Sequence, residues 1–158
     1  MTHKPTFPTI PVQDIPDLHG HNSRGSYRPS ILVVDDESSI ADTLAEILMR
    51  SGYAARAAYD GDSALEAALL NPPEMLISDV ILPGVSGIDL AITMRRIFPD
   101  CKIILFSGQA STADLLAAAN REGHQFVLLN KPIHPTDLLA RISAGLDTQR
   151  ATLELIDN

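Results

Sequence analysis

The stretch ILVVDDESS, residues 31–39, sets two acids, Asp35 and Asp36, directly after four apolar residues. Carboxylates about 4 Å apart repel by roughly 4 kcal/mol at an effective dielectric near 20, so the juxtaposition needs an offsetting charge. Polar residues follow short apolar runs at three further points: Asp79 in MLISDVILPGVSG, Ser107 in ILFSGQA and Lys131 in LLNKPI. Three carboxylates, a hydroxyl and an amine gathered together make a site for a hard divalent cation. Mg2+ suits such a set, because it takes oxygen ligands, keeps several waters and needs only a few carboxylates and one backbone carbonyl. A carboxylate beside a metal and a lysine is also a nucleophile toward phosphorus, forming an aspartyl phosphate. The cation and Lys131 would neutralise the equatorial phosphoryl oxygens. The Ser107 hydroxyl and the Gly108 amide would donate hydrogen bonds to the same oxygens, glycine permitting close approach.

These residues converge only if the apolar runs are strands of one sheet. Runs at 31–34, 53–58, 75–78, 102–106 and 125–129 alternate with stretches of helical spacing. Ile40, Leu44, Ile47 and Leu48 share one helical face, as do Ala64, Leu65, Ala68 and Leu69. Ile88, Ala91, Ile92 and Arg95 mark a third helix ending before Pro99, and Leu115, Leu116, Ala118 and Ala119 a fourth closed by Gly123. Leu138, Leu139 and Ile142 mark the fifth. Asp60, Ser86 and Ser111 are N-cap candidates, and Pro135 suits a first turn. The run YAARAAY is rich in helix-favouring alanine, and only its place in the alternation makes it a strand. Five strands alternating with five helices predict an α/β fold, a doubly wound parallel sheet with helices on both faces. Ligands of such sheets sit at the carboxyl ends of the strands, where the polar residues fall.

The bulk composition narrows the function classes. A net charge of −8 argues against phosphate-neutralising nucleic-acid binding. Cys101 is the single cysteine, so neither an internal disulfide nor a cysteine-built metal site is expected. No apolar run has membrane-span length and no signal-peptide pattern opens the sequence, which predicts a cytoplasmic protein. Residues 1–29 hold Pro5, Pro8, Pro11, Pro16 and Pro29, a density that blocks helix and sheet ladders and predicts an irregular arm. Residues 30–146 form the expected domain and 147–158 a short tail, too short for an output domain.

VVDDE, DVILPGVSGIDL, ILFSG and NKPI, in that order, resemble the receiver domains of two-component response regulators, the CheY-like superfamily, over roughly residues 30–146. The resemblance implies the strand order 2-1-3-4-5 and assigns roles. Asp79 is implied as the phosphoacceptor, Asp36 as a direct Mg2+ ligand, Asp35 as a ligand mainly through water, and Ile81 as the donor of a backbone carbonyl. Ser107 is implied as the switch hydroxyl and Lys131 as the phosphoryl partner, with the Lys131–Pro132 bond cis. It further implies phosphoryl transfer from a sensor histidine kinase or histidine phosphotransfer protein, with no catalysis beyond the domain's own phosphorylation and dephosphorylation. The readout would be a downstream protein target or a self-dimer through the face of the fourth helix, fifth strand and fifth helix, without nucleic acid or membrane.

Two positions depart from the family pattern. The position three before the lysine, often Tyr or Phe, is Leu128, and the nearby aromatic is Phe126. Both point the same way on a strand, so either is a candidate switch reporter. Ile81 sets an apolar side chain two residues after the acceptor, which predicts slow self-dephosphorylation.

Each motif alone has a plainer use: the acid pair at a helix N-terminus, Asp79 and Ser107 in turns, Lys131 on a solvated surface. The ordered combination is what is specific. A haloacid-dehalogenase-like phosphatase uses the same residue types but wants D-x-D after the first strand, where this chain has adjacent acids. A receiver-shaped binding module that is never phosphorylated is the other alternative.

Overall fold

The computed structural model describes residues 27–108 and 112–156. Its elements, in order, are β1 Ser30–Val34, α1 Ser38–Arg50, β2 Ala54–Ala58, α2 Gly61–Leu70, β3 Met75–Asp79, α3 Gly87–Ile97, β4 Lys102–Ser107, α4 Thr112–Arg121, β5 Val127–Asn130 and α5 Pro135–Ile156. All strand pairs are parallel, in the order β2-β1-β3-β4-β5. The first 26 residues of the arm and the capping candidate Ser111 lie outside the described residues.

Strand residues alternate between two apolar layers, as a sheet covered on both faces requires. Ile31, Val33, Met75, Ile77, Ile104, Phe106 and Leu129 face α1 and α5, meeting Ala41, Ala45, Leu48, Leu138, Ile142 and Leu146. Leu32, Val34, Leu76, Ile103 and Leu105 face the other way, against Ala64 and Ala68 of α2, Ala91 and Met94 of α3 and Ala119 of α4. Small alanines on the helices let their backbones lie close to the branched strand residues.

Asp60 and Ser86 cap as expected: their side chains accept from the backbone N–H of Ser63 and Asp89. The face expected of α1 is rotated. Its core residues are Ala41, Ala45 and Leu48, while Ile40 is exposed and lines, with Leu44 and Ile47, a cleft toward Ile133 and Leu138. Leu69 and Leu115 are likewise exposed, because the alanines beside them occupy the tight contact with the sheet.

β5 starts two residues later than the apolar run. Beside its start the Arg95 guanidinium donates to the Gln125 carbonyl at 2.8 Å. α5 continues through the segment expected as a tail, reaching Ile156. No described helix is long and apolar enough to cross a membrane.

The β3–α3 connection is folded tightly against the end of β3. Gly84 turns it with φ +76°, and the Gly87 N–H donates to the Val80 carbonyl at 2.8 Å. A Cβ at Gly87 would fall on the Asp79 carbonyl oxygen, a backbone atom that cannot rotate aside. Gly87→Ala is therefore expected to cost about 3 kcal/mol, the upper part of the overpacking range. Urea unfolding checks this, and a loss below a tenth of that size would mean the connection is not tight.

Candidate functional site

Parallel pairing without offset brings the carboxyl ends of the strands level. Val34 pairs with Ser78, Asp79 with Phe106, and Ser107 with Asn130, so the residues at these strand ends share one rim. β1 and β3 are neighbours although β2 separates them in sequence, and the order reverses between them. Asp35, Asp36 and Asp79 sit at that reversal, where the crossovers leave in opposite directions and open a crevice.

Each carboxylate is held differently. Asp35 is 4% exposed; its Oδ1 accepts from the Glu37 N–H at 3.0 Å, and its own N–H donates to the Ala58 carbonyl. Asp79 is half-buried, and its Oδ1 accepts from the Ile81 N–H at 3.0 Å. Asp36 faces solvent. α1 is capped at Glu37 without a side-chain bond, so neither acid of the pair is its N-cap.

Lys131 answers the charge problem. Its Nζ lies 2.7 Å from Asp79 Oδ2 and 3.0 Å from Asp35 Oδ2, joining the ends of β1, β3 and β5. Burial by itself would lower its ammonium, but the hydrogen bonds and charges of Asp79 and Asp35 outweigh that and hold it above the ordinary lysine value. Because the shift is upward, the stabilisation is complete below the unfolded-state lysine value and lost only as pH rises through the higher folded one. The Lys131–Pro132 bond is cis.

The three acids offer oxygens that all lie within 4.8 Å of one another. An octahedral Mg2+ with oxygens at 2.0–2.1 Å separates neighbouring ligands by about 2.9 Å and opposite ones by about 4.2 Å. The set therefore fits that ion after a small contraction. The Ile81 N–H is fixed on Asp79, which ties the residue expected to lend its carbonyl to the same cluster.

Ser107 is buried at the end of β4, and its hydroxyl is in hydrogen-bond contact with the equally buried hydroxyl of Thr112. Thr112 was absent from the sequence reasoning, because a buried hydroxyl leaves no trace in apolar periodicity. Its one legible sign is a hydroxyl residue five places after Ser107. Gly108 lies beside the Lys131 stem, where an added Cβ would make only ordinary contact, so no protein neighbour demands glycine there.

Phe126 and Leu128 pack against the same apolar layer, as strand alternation predicted, although Phe126 precedes β5. The Arg95 guanidinium carbon sits 4.3 Å from the centroid of the Phe126 ring, and the His124 ring lies nearly parallel to it with centroids 6.3 Å apart.

Comparison with known proteins gives a consistent result. Residues 31–143 match the family described as the response regulator receiver domain. The nitrogen assimilation regulatory protein NtrX of Azorhizobium caulinodans is 32% identical over 127 residues, 79% of this chain and 28% of that protein. The DNA-binding response regulator MtrA of Mycolicibacterium smegmatis is 32% identical over 119 residues, 75% of this chain and 51% of that one. The chain thus spans well under two thirds of these curated relatives. Among solved structures, a CheY-like response regulator receiver domain protein from Methanospirillum hungatei superposes with a TM-score of 0.71 at 29% identity, covering 80% of this chain and 99% of that one.

Mg2+ at about ten times its dissociation constant should stabilise the fold by about 1.4 kcal/mol through mass action. Asp36→Asn should remove most of that gain. Thermal unfolding with and without the ion is the check, and a midpoint indifferent to Mg2+ would count against a cation site.

Proposed function

The chain belongs to the response regulator receiver domain family of two-component systems, and on that premise we propose that it is a switch phosphorylated on Asp79. The donor is a phosphohistidine on a sensor histidine kinase or histidine phosphotransfer protein. The observation that carries this reading is the Lys131 ammonium 2.7 Å from Asp79 inside a three-carboxylate cluster.

A carboxylate oxygen of Asp79 attacks phosphorus as the P–N bond of the donor breaks, leaving the donor imidazole and an acyl phosphate. Lys131 follows the new charge: its ammonium, paired with two carboxylates beforehand, is positioned for the phosphoryl oxygens. The Gly108 amide and Ser107 hydroxyl are further donors on the β4 side. Asp36, Asp79, the Ile81 carbonyl and, mainly through water, Asp35 would hold Mg2+, which when bound would supply charge neutralisation for the transferring group. Nothing else is turned over; the chemistry is confined to loading and unloading Asp79.

Phosphorylation adds close to two negative charges and three acceptor oxygens. The response runs through Ser107 and α4 to the face of α4, β5 and α5, where Leu115 and Val127 are 45% and 47% exposed. That face takes a downstream protein or a second copy of the domain. The acidic balance makes this domain a poor direct ligand for nucleic acid, whatever other segments its relatives carry. The reading sets the domain in the cytoplasm, away from membranes.

Incubation with acetyl phosphate and Mg2+ should add the mass of one phosphoryl group to the intact chain, and Asp79→Asn should abolish the addition. Absence of the adduct in the wild type, or its persistence in the variant, would overturn the assignment. The exposed apolar Ile81 should leave the acyl phosphate long-lived. Decay followed by the same mass measurement is expected over minutes or longer, and a lifetime of seconds would contradict it.

A further inference from the structure

Two adjoining clefts lie at the amino ends of the strands, opposite the carboxylate cluster. The first, about 310 Å3, runs past Pro72, Glu74, Ile97 and Phe98. The second, about 560 Å3, shares Pro99 and Cys101 with it and continues between Lys102, Val127 and Arg141. Ile97 and Val127 hold their apolar side chains 42% and 47% exposed along this path.

Three cations border the second cleft: Arg95, Lys102 and Arg141. The whole chain has only 12 Lys and Arg and a net charge of −8, so positive charge is concentrated here against the general balance. Among the described residues, neither Lys102 nor Arg141 is in an ion pair, and Arg95 donates to the Gln125 carbonyl. Chemistry at Asp79 uses none of them.

The N-terminal arm joins the domain at this same end. Ser30 opens β1, its N–H donates to the Glu74 carboxylate at 3.0 Å, and Glu74 lines the first cleft. β4 lies two strands from β1, about 10 Å away at the usual spacing. Residues 19–29 reach up to about 36 Å when extended, so they span that distance with slack. Within the arm, IPVQDIPDL, residues 10–18, intersperses Ile10, Val12, Ile15 and Leu18 with Asp14 and Asp17. No Lys or Arg falls between Lys4 and Arg24.

We propose that residues 10–18 dock along the two clefts of their own chain. Asp14 and Asp17 meet Lys102 and Arg141, and the apolar residues cover Ile97, Phe98 and Val127. Complementary charge sets the register. A tethered segment meets its cleft at an effective concentration in the mM range, so modest contacts hold it. Pro11 and Pro16 fix their own φ angles and reduce the freedom lost on docking. Because Val127 belongs to β5, the docked arm borders the face of α4, β5 and α5 from its amino end.

The test uses the full chain with Gln13→Cys carrying a nitroxide. Cys101 stays in place: it is 7% exposed, and burial pushes its thiol up to about 12, so at neutral pH the reagent takes the new thiol. The nitroxide should broaden the amide NMR signals of Ile97, Lys102, Val127 and Gly145, and spare those of Asp79 and Gly108 at the far end of the strands. Lys102→Glu with Arg141→Glu should restore the broadened signals. Adding Asp14→Lys and Asp17→Lys to that variant should broaden them again. If circular dichroism shows that the reversals unfold the domain, added salt takes their place, since it screens solvent-facing ion pairs and should restore the same signals. Broadening that is absent, even over the whole domain, or indifferent to both reversal and salt overturns the proposal. So does broadening of an isotope-labelled chain by a separate nitroxide-carrying copy, which would place the arm on a neighbour.

Discussion

One ammonium group sets the terms for this structure. Lys131 reaches from the end of β5 to carboxylates at the ends of β1 and β3, partners 96 and 52 residues away in sequence. Asp35, buried and one place past a strand of apolar residues, would be an uncompensated charge without it. The strand order follows the same logic: β1 and β3 must be neighbours for one cation to serve both acids. The cluster is thus held together by opposite charge, while its components would push apart if left alone.

The two faces of the sheet are not equally committed to that cluster. On the α1/α5 side, Leu48, Leu138 and Ile142 are fully enclosed, and the layer is continuous. On the other side α4 contributes little apolar area, with Leu115 left in solvent. Elements with few buried apolar contacts are the ones that open or shift at low free-energy cost. α4 is such an element, and its buried Thr112 hydroxyl contacts that of Ser107 at the end of β4.

Much of this was legible beforehand, for reasons that also explain what was not. Polar residues after apolar runs mark strand ends in any parallel sheet, so Asp35, Asp36, Asp79, Ser107 and Lys131 could be read directly. Capping by Asp60 and Ser86 is local chemistry and equally readable. The rotated face of α1 was not, because larger residues dominate a periodicity count while small ones, Ala41 and Ala45, take the closest packing. Ahead of β5 the Gln125 carbonyl accepts from Arg95, thirty residues away, and no local pattern carries a contact of that range. α5 beyond Leu146 continues on helix-favouring residues without the core-facing rhythm that marked its beginning.

The close packing at the β3–α3 connection gives the domain a direction. With Gly87 pressed on the Asp79 carbonyl and Val80 bonded to both Gly87 and Phe106, the main chain around Asp79 is braced on its α3 flank. The two flanks of the Asp79 carboxylate are thus unequal, one closed by main chain and the other bordered by the end of β4.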